Sequence, residues 1–232
     1  MKKIGLVGGV GWRSTSEYYR LINEEVERRL GGLRSMPLAL ESLDFAQVRR
    51  HVDAGDEEAL VDLYLGAAQR LESAGAQLLA LCSNAAHARI HRVREHVRVP
   101  VIHIADAVCA AARSQGHTHV GLLGTRETMQ RPFMKDVLAA SGLQVHVPGE
   151  ADQAWLHATI FGVLEQGRQT REHQAQLLQV VDRLAHAGAQ AVVLGCTELP
   201  LLLGDGQSAV PCLDTTRLHA HALVDVALAP NY

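Results

Sequence analysis

Two similar doubly wound α/β lobes are expected from three features of the chain. Short apolar runs alternate with longer stretches of helical period, one segment of the sequence recurs about half a chain later, and 232 residues suffice for two small lobes. A chain of this length can bury a sizeable core as one domain or as two lobes of roughly 100 to 120 residues.

The apolar runs are Ile4 to Val7, Pro37 to Leu40, Leu78 to Leu81, Val101 to Ile104, Val120 to Leu123 and Ala191 to Leu194, four of them followed directly by Gly or a polar residue. Continuous four- to six-residue apolar runs of this kind read as buried parallel strands. Between them, Glu57 to Ser73 and Glu172 to His186 carry apolar residues at helical spacing. The alternation predicts helices on both faces of parallel sheets.

The repeat sets the register. Arg70-Leu71-Glu72-Ser73-Ala74-Gly75-Ala76-Gln77 returns as Arg183-Leu184-Ala185-His186-Ala187-Gly188-Ala189-Gln190, six identities in eight at an offset of 113. Ile4-Gly5-Leu6-Val7-Gly8-Gly9 is echoed by Val120-Gly121-Leu122-Leu123-Gly124-Thr125 at 116, and Val99 to His103 by Val210 to Asp214 at 111. Three similar offsets in one order imply a duplicated lobe. The expected architecture is two pseudo-symmetric lobes with parallel, four-stranded-type sheets: residues 1–105 with 208–232, and residues 106–207. Ligands of open α/β sheets bind beyond the carboxyl ends of strands, so an interlobe active site is expected there. The offset of 113 places Ser83 against Cys196, Asn84 against Thr197 and Cys82 against Gly195.

Composition excludes several classes of function. Net charge is −3, aromatic residues are 4% of the chain, and the basic residues are scattered, so the footprint of a nucleic-acid binder is missing. No apolar run approaches the roughly 20 residues of a membrane span, and Met1-Lys2-Lys3 leads into no secretory segment, so a cytoplasmic protein is expected. The four cysteines, Cys82, Cys109, Cys196 and Cys212, form no CxxC pair, which argues against a disulfide frame or a zinc site. Thirteen histidines form no HExxH pattern. His87, His103 and His219 read as first-turn or strand-end residues, and no metal is expected. Gly5-Leu6-Val7-Gly8-Gly9-Val10-Gly11 lacks the GxGxxG spacing of a dinucleotide loop.

Leu81-Cys82-Ser83-Asn84-Ala85-Ala86-His87 and Leu194-Gly195-Cys196-Thr197-Glu198-Leu199 both sit where a strand gives way to a helix. A cysteine facing the unpaired N–H groups of a helix start is expected to have a lowered pKa and to act as a thiolate. The alternative for Cys196 is a small buried thiol used as packing.

Gly5 to Thr15 with Tyr18-Tyr19, Leu122 to Met129, Gly195-Cys196-Thr197-Glu198 and Asp214-Thr215-Thr216 together resemble the motifs of the aspartate/glutamate racemases. The resemblance runs through essentially the whole chain. Its superfamily includes glutamate, hydantoin and aspartate racemases, arylmalonate decarboxylases and maleate isomerases. It implies an amino-acid racemase without pyridoxal phosphate or other cofactor, usually a homodimer, in which one cysteine per lobe works on either face of the α-carbon. The family's first motif, Cys-Asn-Thr, is here Ser83-Asn84-Ala85, with Cys82 one residue early. A one-residue shift on a strand turns the side chain to the other face, so Cys82 is expected to point into the core. The closest resemblance is to a branch of broad or L-specific racemases with a hydroxyl at the first site and Cys at the second.

The expected catalytic pair is thus Cys196 and Ser83. A hydroxyl with a pKa near water's roughly 15.7, against roughly 8.5 for a thiol, is about 7 units, or roughly 10 kcal/mol, poorer as a proton donor. Ser83 is therefore expected to relay a proton from water or to bond the developing enolate. The resemblance further implies that Asn84, Thr125, Thr128 and Thr197, with backbone N–H groups at Val10 and Ala85, cradle the α-carboxylate, and that Glu198 accepts the substrate ammonium. Each threonine also reads as a helix cap, and Glu198 as a first-turn carboxylate. The family's distal-carboxylate arginine and lysine are absent, their stretches reading Asp44-Phe45-Ala46 and Glu165-Gln166-Gly167. Arg13, Arg49, Arg50, Arg126 and Arg131 are candidate substitutes. Two other readings stay open: a one-cysteine decarboxylase or isomerase of the same superfamily, and a small-molecule binding protein that has lost catalysis.

Overall fold

The computed structural model describes residues 1–204 and 206–230. The element order is β1 (Ile4–Gly8), α1 (Trp12–Leu30), β2 (Leu38–Ser42), α2 (Phe45–Ala54), α3 (Glu57–Ser73), β3 (Leu78–Leu81), α4 (Ile90–Arg94), α5 (Ile104–Ser114), β4 (His119–Gly124), α6 (Arg126–Gln130), α7 (Pro132–Ala140), β5 (Gln144–His146), α8 (Glu150–Thr159), α9 (Arg171–His186), β6 (Ala191–Gly195), β7 (Cys212–Asp214) and α10 (Thr215–Leu228). The mixed α/β class holds, and the chain divides into two compact units, residues 1–103 with the chain from His219 onward, and residues 104–218.

All strands pair in parallel, in the order β2-β1-β3 in the first unit and β5-β4-β6-β7 in the second. The first sheet is one strand shorter than expected. Val101 makes only an isolated parallel bridge to Leu79, and Ile104 already opens a helix. The repeat survives at this point: Leu79 N–H donates to Pro100 O and Val192 N–H to Pro211 O, both at 2.9 Å. The segment Pro37 to Leu40 also differs from the expected buried strand. It lies at the sheet edge, where Leu40 is 52% exposed.

The expected lobe boundary at 208 is corrected by β7. Its pairing with β6 puts residues 208–218 in the second unit. The helix that follows each repeat packs in the other unit. α5 follows the first repeat, yet Ile104, Val108 and Ala112 pack with Val120 and Leu122 of the second sheet. α10 follows the second repeat, yet Ala220, Leu223 and Val224 pack with Ile4 and Leu6 of the first.

Strand residues alternate between two cores in each unit, as a period of two requires. On β3, Leu78 and Ala80 face α1 and α10, whereas Leu79 and Leu81 face α3. On β6, Val192 and Leu194 face α6, α8 and α9, whereas Ala191 and Val193 face α5 and α7. Side-chain oxygens accept backbone N–H groups at several helix starts: Asp44 for α2, Asp56 for α3, Thr125 for α6 and Thr170 for α9. Among the described residues, no helix is long and apolar enough to cross a membrane.

Candidate active site

In the second unit the site is built on the ends of β4 and β6. Gly124 and Gly195 lie opposite each other there. A β-carbon on Gly195 would fall 2.7 Å from Leu123 O and 2.9 Å from Thr128 Cγ2, so the residue before Cys196 must be glycine for α6 to pack this closely. Thr128 is 1% exposed, and its hydroxyl lies 3.2 Å from that of Thr125, which caps α6. In this structure Thr125 does what a helix cap does, accepting the Thr128 N–H.

Cys196 continues the parity of Val192 and Leu194 and joins their core, 9% exposed. Its S–H donates to Glu198 Oε2 at 2.9 Å, and the same oxygen accepts the Thr197 hydroxyl at 2.7 Å. Glu198 is itself buried. The expected helix start is not there: Leu199–Leu201 is a single 3₁₀ turn containing Pro200. The expected low thiol pKa is therefore reversed. Burial first, then the charge and hydrogen bond of Glu198, hold the Cys196 thiol well above its ordinary value, and Glu165 adds to this. The backbone N–H of Glu198 opposes this without reversing it, and the resting group is S–H.

The equivalent corner of the first unit is different. Cys82 N–H extends the β3 pairing to Val7 O at 2.9 Å, and the side chain, 1% exposed, enters the core with Leu78 and Ala80. Burial alone pushes its thiol pKa up. The expectation that Cys82 points into the core is met. Ser83 is half-buried with the parity of Leu79 and Leu81, as Cys196 has that of Val192 and Leu194. Asn84 is buried and Ala85 half-buried at the start of the 3₁₀ turn Ala85–Arg89. Ala85 stands where the second unit has Glu198. Val10 is half-buried in the β1–α1 connection, beside Gly9, whose positive φ of 87° and contact with Leu43 exclude a side chain.

Two features were not anticipated. Glu165, 31 residues before Cys196 and just past a π-helical turn at Ile160–Leu164, acts electrostatically on the thiol. His87, His103 and His219 come together in the first unit with Tyr18, where the sequence suggested three unrelated residues. Ring contacts spanning 132 residues leave no local pattern. Among the candidate arginines, Arg49 pairs with Asp53 at 2.8 Å, Arg131 with Glu127 at 3.3 Å, and Arg13 lies 4.7 Å above the Trp12 ring. Among the described residues, no cluster of three His, Cys, Asp or Glu is arranged to hold a metal.

Comparison with known proteins places this architecture. The family model described as Asp/Glu/Hydantoin racemase matches residues 7–223. The broad specificity amino-acid racemase RacX of Bacillus subtilis (strain 168) is 23% identical over 227 residues, 97% of this chain and 98% of that one. A crystal structure from Yersinia pestis, classed with the Asp/Glu racemases, superposes with a TM-score of 0.93 at 36% identity, covering 99% of this chain and all of that one. An aspartate racemase homologue from Pyrococcus horikoshii OT3 gives 0.86 at 31% identity, with coverage of 99% and 100%. The two-lobed arrangement of parallel sheets is the fold of these racemases, and the chain belongs to the Asp/Glu/hydantoin racemase family.

Proposed function

We propose that this protein is a cofactor-independent amino-acid racemase, acting on aspartate, glutamate or a broader set of amino acids, with Cys196 as its acid/base. The observation that carries the reading is the Cys196 S–H donating to Glu198 Oε2 at 2.9 Å at the end of β6, within the family match. The name of the relative RacX supports an amino-acid substrate.

A thiol held protonated cannot itself remove an α-proton. Its proton first passes from Sγ to Glu198 Oε2, and the thiolate so formed takes the α-proton of the L-amino acid. The C–H electron pair becomes the enolate of the α-carboxylate, for which Asn84, Thr125, Thr128, Thr197 and the N–H groups of Val10 and Ala85 are the proposed cradle. A proton then reaches the opposite face of the carbon through Ser83 or water. Microscopic reversibility requires the same route backward, so a preference for the L face is kinetic and leaves the equilibrium between enantiomers untouched. Glu198 serves as proton acceptor for Cys196 in this scheme, and the ammonium role suggested by resemblance becomes secondary. A cytoplasmic homodimer completes the proposal, and light scattering of the purified protein tests the dimer.

The test is to incubate L-aspartate, L-glutamate and a panel of other L-amino acids in D2O, following α-hydrogen loss by NMR and D-enantiomer formation by chiral chromatography. Exchange with D-product formation is expected for at least one of them. No exchange with any substrate overturns the reading. CO2 release from an α-substituted malonate would assign a one-cysteine decarboxylase instead, and ligand binding without turnover in wild type and Cys196→Ala alike would assign a binding protein.

A further inference from the structure

One carbonyl is treated differently in the two units. At the second corner, Cys196 O accepts the backbone N–H of Leu199 at 3.2 Å. At the first, Ser83 O accepts from a side chain, His87 Nδ1, at 2.9 Å. A carbonyl can only accept, so Nδ1 carries the proton and His87 is the Nδ1–H tautomer. The ring is 1% exposed, its Nε2 is buried, and the Ile102 carbonyl acts on the ring from the other side of the Ser83 bond.

The ring is wedged behind the corner. His103 lies 4.9 Å from it and His219 5.5 Å, centroid to centroid. His219 is itself fixed at both nitrogens: Nε2–H donates to Ile102 O at 3.1 Å, and Nδ1 accepts the Tyr18 hydroxyl at 2.7 Å. Each of these four side chains is at most 4% exposed. We propose that His87 is the positioning residue of the Ser83–Asn84 corner: its bond to the Ser83 carbonyl, backed by His103, His219 and Tyr18, sets the direction of the Ser83 hydroxyl and of Asn84. The part of this that concerns turnover rests on the racemase reading above.

The device works only while the imidazoles stay neutral. Among the described residues, no carboxylate bonds to His87 or His219. The titratable groups facing them are His103 and Tyr18 and each other; beyond these, Arg89 on the same 3₁₀ turn is paired with Glu57 of α3, and Glu25 of α1 is held by Arg28 and Arg29, 3.9 Å from His221 of α10. Burial, the largest cause, and the neighbouring histidines hold the His87 pKa well below its ordinary value, and burial holds that of His219 at about 3. The unfolded chain takes up these protons below about pH 6.5, whereas the folded one does not. The packing is therefore fully stable above about pH 6.5 and weakens by roughly tenfold per histidine for each unit below it.

The experiment compares His87→Leu, which removes the donor, with His87→Asn, whose side-chain N–H replaces Nδ1–H. Amide hydrogen exchange is read by mass spectrometry at residues 82–90 and 195–203, alongside kcat and KM for α-hydrogen exchange. We expect His87→Leu to speed amide exchange at 82–90 at least tenfold and to lower kcat with KM within threefold, leaving 195–203 unchanged. His87→Asn is expected within threefold of wild type in both. In wild type, protection at 82–90 falls between pH 7 and 5 while that at 195–203 holds. Wild-type values for His87→Leu, or an Asn variant as impaired as the Leu variant, would overturn the proposal. If His87→Leu does not fold, nitrogen NMR of the wild-type imidazole decides: an Nε2–H tautomer overturns it, an Nδ1–H tautomer neutral at pH 5 supports it. Failure of the racemase reading removes the kcat readout alone, and the amide-exchange and tautomer outcomes still judge the positioning role.

Discussion

The two strand-end corners share one backbone plan and carry opposite chemistry. At β6 the sequence Cys196-Thr197-Glu198 joins a thiol to a buried carboxylate. At β3 the equivalent Ser83-Asn84-Ala85 has a hydroxyl and, in place of the carboxylate, a methyl group. The first corner is braced by an imidazole cluster that the second lacks at the matching carbonyl. The fold is thus matched in both halves, whereas the thiol–carboxylate pair stands in one. In the proposed mechanism the second unit moves the proton and the first positions its partner.

Substitutions along the two corners separate these roles, and their expected effects fall in order. Cys196→Ala is expected to lower α-hydrogen exchange by roughly 10³- to 10⁴-fold, the upper range of general acid/base contributions, with the thermal transition nearly unchanged. Glu198→Gln removes the acceptor for the thiol proton, and turnover should drop by roughly 10²-fold. Ser83→Ala is expected to cost about tenfold, because water can replace a relay that was never a strong base; an effect equal to that of Cys196→Ala would break the asymmetry between the corners. Cys82→Ala should leave turnover within about twofold and destabilise the first unit by roughly 1 kcal/mol, the scale of a small core truncation. If Cys82→Ala abolished exchange instead, the assignment of Ser83 by repeat and strand parity would be wrong.

Much of this was legible in the chain. β3 and α3 fall at the expected residues, and β1, β4 and β6 extend the expected runs by one or two, because buried parallel strands are written as continuous apolar runs and the repeat confirms each one. β5 was invisible: Gln144–His146 is a three-residue polar strand at a sheet edge, with no apolar run to mark it. The lobe boundary at 208 went astray because Cys212–Asp214 pairs with β6 in the second sheet, although the offset of 111 already matched Val210–Asp214 with the end of the first repeat.

At the site, the register of Ser83 with Cys196 followed from the repeat and the inward turn of Cys82 from strand parity. The protonation of Cys196 did not. The turn that follows is 3₁₀ where a helix start was expected, and the burial of Cys196 depends on α6, α8 and α9, which the local sequence does not contain. Glu165 and the histidine cluster act from distant positions in the chain and needed the fold to be seen.

The central claim is that Cys196 rests as a thiol held by Glu198, unlike an activated cysteine. It is tested most directly by the pH dependence of Cys196 alkylation, followed by peptide mass spectrometry in wild type, Glu198→Gln and Glu165→Gln. Wild type should titrate well above the roughly 8.5 of a free thiol. Glu198→Gln should bring the midpoint down by at least about one unit, since it removes both a charge and a hydrogen bond, and Glu165→Gln, which removes only a charge, by less. A wild-type midpoint at or below that of a free thiol, or one that Glu198→Gln leaves in place, would contradict the account.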